Sequence, residues 1–134
     1  MKVTALLRQA TPLLIRPAKG NPTGLTGIYQ HPNPVPVLKG LYAETLLQLK
    51  AKFPESSVYR QSVENLTKAR LAVVESEEVV EKIEEKIGCG LIEEVIIQAD
   101  EELELLGQMA EWKVWESLEE KPEADQWVYF GKKV

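Results

Sequence analysis

Cysteine and histidine are almost missing from this sequence: 134 residues include one of each, Cys89 and His31. A lone cysteine excludes an internal disulfide, so the fold must be held by packing. A structural zinc site takes about four His or Cys ligands, which two residues cannot supply. A cysteine nucleophile needs a base or cation to hold its thiolate, and His31 stands in a proline-rich stretch that spacing alone does not bring to it. No Asp-x-Asp-x-Asp-Gly run offers a calcium loop. No apolar run approaches the ~20 residues that cross a bilayer. Acidic residues are absent from the first 43 positions, where Lys2, Arg8, Arg16, Lys19 and Lys39 stand unopposed. The rest of the chain has 11 basic and 21 acidic residues, so a net charge of -5 combines a start of +5 with a body of -10. A body of that sign repels nucleic-acid backbones and argues against a nucleic-acid partner.

The acid-free start, MKVTALLRQATPLLIRPAKG, has the composition of a mitochondrial targeting segment, and residues 1–20 are read as a basic segment suited to targeting, with an ordinary basic N-terminal arm as the alternative. Pro12 and Pro17 keep any amphipathic helix within it short. Six of the eight prolines precede residue 37, and residues 21–36 read as a Pro/Gly-rich strap. Leu25, Ile28 and Tyr29 give that strap apolar points with which to lie on a surface.

Beyond Pro36 the spacing becomes helical, and residues 37–112 are expected to form the folded body. Leu38, Leu41, Tyr42, Thr45, Leu46 and Leu49 recur at three- and four-residue steps, the mark of one buried face. Asn33 and the prolines after it can open this first helix, and Phe53-Pro54 closes it. Ser56 or Ser57 can cap a second helix with a face of Tyr59, Val63, Leu66, Ala69/Arg70 and Val73. The segment VESEEVVEKIEEKIG either continues it or starts a short extra helix near Ser76, with Val79, Val80, Ile83 and Ile87 as its stripe. A third long helix follows from Ile92, Val95, Ile96, Ala99, Leu103, Leu106 and Ala110. Three long helices with short connections predict an all-α fold, an antiparallel three-helix bundle with extended N- and C-terminal segments.

The stretch GCG, Gly88 to Gly90, precedes the third helix but lacks the third glycine of a dinucleotide fingerprint. Glu93 stands there instead, beside Glu94, and two carboxylates repel phosphate. Gly88 suits a left-handed helix end, Gly90 opens the next helix, and Cys89 reads as a small hinge residue between them. Glu101, Glu102 and Glu104 flank a helical stripe and read as a solvated face rather than as catalytic acids. Five of the nine aromatic residues fall in the tail, residues 113–134 with the adjoining Trp112. Trp and Tyr are enriched at protein interfaces, so Trp112, Trp115, Trp127, Tyr129 and Phe130 are the expected anchors, with Leu25 and Tyr29 as weaker ones. Capping of the chain's own core is the competing role for Trp112 and Trp115. Arg60 and Arg70 can serve either as core-edge pairs or as contacts to a partner.

GLTGI, LYAETLLQL, VYRQSVENLTKARLAVV, IEEVIIQADEELELLGQMAEWKVWE and ADQW, taken in order, resemble the alpha subcomplex subunit 5 family of mitochondrial respiratory complex I. The resemblance spans residues 24 to about 127, and the first twenty residues and QHPNPVP depart from the family's pattern. It implies a non-catalytic accessory subunit without cofactor, iron–sulfur cluster, flavin or quinone site. It further implies a place on the matrix side of the inner membrane, peripheral to it, among core and accessory subunits of the peripheral arm. A free helical-bundle adaptor or assembly factor of the mitochondrial matrix is the alternative.

Overall fold

The computed structural model describes residues 21–126 and 128–129. The basic segment 1–20, Trp127 and Phe130 lie outside the described residues. Helix α1 runs Pro34–Lys52, with Asn33 at its cap position and proline in its first turn, where the missing N–H has no intrahelical partner to lose. Its end is set by Phe53, extended at φ −117° and ψ 140° ahead of Pro54. Helix α2 spans Val58–Ser76, and the Ser57 side chain accepts the Arg60 N–H at its start. Helix α3 is the short Val80–Ile87, and α4 covers Ile92–Glu111.

Two buried clusters fix the helix directions. One joins Leu38 and Tyr42 of α1 to Val74 of α2, Val80 and Ile83 of α3, and Ile92, Val95 and Ala99 of α4. The other joins Leu49 and Phe53 to Val63 of α2 and Leu106 of α4. The starts of α1 and α4 therefore share one cluster and their ends the other, so these two run parallel. Helix α2 runs against both. Helix α1 packs chiefly on α4 and secondly on α2, while α2 and α4 hardly touch.

The expected three-helix bundle is corrected by this arrangement, which has four helices. The chain breaks at Glu77, which is extended at φ −121° and ψ 137°, and restarts after Val79. Helix geometry explains the break. At 100° per residue an uninterrupted helix would aim Ile83 about 180° away from Val74. Breaking at Glu77 lets Val74, Val80 and Ile83 enter one cluster, each fully buried or nearly so. The stripe on α2 also differs from the expected one. Val63, Thr67 and Val74 are buried, whereas Leu66 is 52% exposed. The wall of α2 that carries Leu66 faces an opening rather than a neighbouring helix.

Candidate functional site

The GCG turn is built around the start of α4. Gly88 ends α3 in the left-handed region at φ 69°, and its N–H reaches the Glu84 carbonyl at 2.9 Å. Gly90, at φ 88°, lies so close to the Glu94 carboxylate that a Cβ there would collide with it. Two of the N–H groups at the helix start are taken by carboxylates. Glu94 Oε2 accepts from the Leu91 N–H, and Glu84 Oε1 accepts from the Ile92 N–H, both at 2.8 Å. Buried Glu93 turns the other way, and its Oε1 accepts the His31 N–H at 3.2 Å, which ties the strap to the body. This end of α4 is lined by the chain's own acids, which repel a phosphate. Among the described residues, no group of three His, Cys, Asp or Glu is placed to hold a metal ion.

Cys89 is half-buried and packs against the first cluster. The Arg70 guanidinium donates to its sulfur at 3.2 Å, and the thiol points to the Ile87 carbonyl at 3.7 Å. Arg60 is engaged inside the chain: its guanidinium donates to the Phe53 carbonyl at 2.8 Å and pairs with Glu64 at 3.5 Å. A cation at the carbonyl end of α1 is where the helix field favours it. Arg60 is thus a core-edge residue.

Arg70 has another setting. The opening between α2 and α4 is a cleft of about 390 Å³ with α1 as its floor. Tyr42, Thr67, Arg70, Gln98 and Glu102 contribute its polar lining, and Leu66 and Leu105 are among its apolar walls. At one end, the Tyr59 hydroxyl donates to Glu102 Oε1 at 2.6 Å. Burial first, and the Glu102 carboxylate second, hold the Tyr59 hydroxyl in its protonated form well above the usual range. At the other end, Tyr42 is 4% exposed and, among the described residues, its hydroxyl has no hydrogen-bond partner of ordinary geometry. Burial raises the pKa of that hydroxyl, and the nearby Arg70 guanidinium opposes the shift. An unsatisfied buried hydroxyl costs roughly 1–3 kcal/mol, so its place beside a cation in a cleft is notable. Sequence reasoning missed this site because Tyr42 fits the apolar stripe of α1. The readable signal was polar residues recurring on inward faces: Thr45, Thr67 and Arg70.

Among the described residues, the expected anchors differ in exposure. Trp115 packs edge-on against Phe53, with ring centroids 5.4 Å apart, and closes the second cluster. Trp112 is 65% exposed at the end of α4, and Tyr129 is 60% exposed. Leu25 and Tyr29 project from a small closed loop. In it Pro22 and Tyr29 form an antiparallel bridge, and Thr23 Oγ1 donates to the Ile28 carbonyl at 2.8 Å. Leu47, Val58 and Leu118 are exposed apolar residues that helical spacing alone did not single out.

Comparison with known proteins bears on the whole chain. Residues 27–94, from the strap loop to the start of α4, match the family described as "ETC complex I subunit conserved region". The chain is 59% identical to the NADH dehydrogenase [ubiquinone] 1 alpha subcomplex subunit MCI4 of Candida albicans, with both proteins covered in full. It belongs to the alpha subcomplex subunit 5 family of complex I. The bovine subunit 5 of this family is 42% identical over 80% of the chain and 91% of its own length. A probable mitochondrial subunit 5 of Arabidopsis thaliana is 45% identical over 69% of the chain and 54% of its own length. The family's conserved region contains Tyr42, Thr67 and Arg70, but ends before Gln98 and Glu102 on the facing wall.

Proposed function

We propose that the chain is a non-catalytic accessory subunit of mitochondrial NADH:ubiquinone oxidoreductase, complex I, where it supports assembly or stability of the matrix-side peripheral arm. The observation that carries this reading is the end-to-end similarity to a named complex I subunit at 59% identity. Membership in the family brings no active site with it, and the subunit takes part in electron transfer only by stabilising the assembly. No described helix is long and apolar enough to cross a membrane, which agrees with a peripheral position on the inner membrane. Its partners are then core and accessory subunits of the arm. Trp112 and Tyr129 of the tail, with Leu25 and Tyr29 of the strap loop, are exposed and serve as its anchors. Trp127 and Phe130 take the same role from their place in the sequence. Trp115 contributes mainly to the chain's own core.

Native electrophoresis of gently solubilised mitochondrial membranes, with the chain tagged, tests the reading. Comigration with NADH-dehydrogenase activity at constant stoichiometry is expected. Recovery only as a small soluble species would overturn it and leave a free matrix adaptor in its place.

A further inference from the structure

The cleft between α2 and α4 contains a cation, Arg70, that no described carboxylate meets in an ion pair. Arg70 lines it, half-buried, and its guanidinium donates to the Cys89 sulfur. All 21 Asp and Glu side chains of the sequence fall between Glu44 and Asp125, within the described residues. No acidic side chain outside the described residues is therefore left to neutralise Arg70. Beside it stands the Tyr42 hydroxyl, a donor with no acceptor among the described residues, on a side chain that is 4% exposed. Arg70 and Tyr42, one with a charged donor and one with a neutral donor, both line a space of about 390 Å³ that is open to the outside.

We propose that this cleft receives a segment of a neighbouring subunit and that an Asp or Glu of that segment accepts hydrogen bonds from Arg70 and Tyr42. A guanidinium matches a carboxylate with two parallel N–H donors, and the phenol can supply a third. The other side of the cleft selects against a free polyanion, because Glu101 and Glu102 line it. A phosphate group would meet more negative than positive charge there. A polypeptide avoids this by placing a basic residue opposite Glu101 and Glu102, while its apolar atoms cover Leu66 and Leu105. The occupant is thus a peptide stretch with an acid at one end and a base at the other.

The inference rests on the subunit reading above, and the test keeps the two apart. A photo-crosslinking residue is placed at exposed Gln98 in the full-length chain, which is then assembled into the complex in mitochondria. Irradiation is expected to give an adduct with one identified subunit, at a peptide containing Asp or Glu. In parallel, Tyr42→Phe and Arg70→Met chains compete with the wild type for incorporation. A loss of roughly tenfold or more is expected for Arg70→Met, since removing one side of a buried charge pair strands the other. Tyr42→Phe is expected to reduce incorporation while the free chain melts no lower than wild type. That split would not arise if the hydroxyl mattered only to the fold. Wild-type chain present in the complex, with no polypeptide adduct at Gln98 and both variants incorporated normally, would overturn the inference alone. Wild-type chain absent from the complex would overturn the subunit reading and the inference together.

Discussion

Single side chains in this molecule do their work mostly at its edges. Tyr59 connects α2 to α4 across the far end of the cleft through its 2.6 Å bond to Glu102. Tyr59→Phe removes that bond while leaving the 5.3 Å ring contact with Phe53. A hydrogen bond to a charged group is worth about 1.5–3 kcal/mol when well shielded, and partial exposure brings this one to about 1 kcal/mol. A fall in melting temperature of roughly 5 °C is expected for a body of this size, measured by circular dichroism. The raised pKa of Tyr59 adds a sign: its contribution is complete below the ordinary tyrosine value of 10.0 and is lost as the pH rises above it. Two carboxylates act in the opposite range. Lys68 beside Glu64, at 2.5 Å, and Lys86 beside Glu77 hold those carboxyls below their ordinary value of 4.5. Their contribution is complete above that value and is lost as the pH falls through the lowered one. Acidifying the free chain from about pH 6 to about pH 3 should therefore lower its melting temperature, and a Glu64→Gln/Glu77→Gln chain should show a smaller drop. An equal drop would assign the acid sensitivity to other groups.

At the scale of elements, the sequence was most informative where a stripe met a helix at full length. The stripes of α1 and α4 include Leu38, Tyr42, Thr45 and Leu49, and Ile92, Val95, Ala99 and Leu106, all of which are buried. The stripe of α2 was misread at Leu66, because periodicity reports which side is apolar and not whether a helix lies opposite it. The separate α3 was left open by the sequence and became definite only with the shared cluster of Val74, Val80 and Ile83. The cleft was only partly legible, through Thr45, Thr67 and Arg70, for the same reason. Its key donor is the hydroxyl of a tyrosine whose ring belongs to the core, and no spacing rule shows that the oxygen lacks a partner. The α3–α4 turn yields a prediction at this scale. At φ 88° and against the Glu94 carboxylate, Gly90 tolerates no side chain without strain. Gly90→Ala should destabilise by about 1–2 kcal/mol through the positive φ, with a further loss if Glu94 is pushed off the Leu91 N–H. Chemical denaturation of both chains measures it. A midpoint equal to wild type would show that the turn can rearrange freely.

For the whole molecule, the question is where the self-sufficient body ends and the part made for partners begins. Trp115 marks the boundary, because its ring closes the second cluster against Phe53, whereas Trp112 and Tyr129 project from the surface. Two truncations separate the roles. A chain ending after Ser117 keeps Trp115 and should melt close to the full-length protein. A chain ending after Glu111 loses the ring and the turn that positions it. Removing a large aromatic from a partly exposed packing site should cost roughly 2–3 kcal/mol, below the range for fully buried aromatics. Incorporation into the complex should divide differently. Both truncated chains lack Tyr129 and the tail around it, so both should be outcompeted by full-length chain even though one is fully folded. Stability and assembly thus respond to different lengths of the same tail. Competitive incorporation, scored beside the melting curves, reads both at once. If the Ser117 truncation assembles as well as full length, the anchoring surface must be sought on the strap loop and the α2–α4 cleft instead.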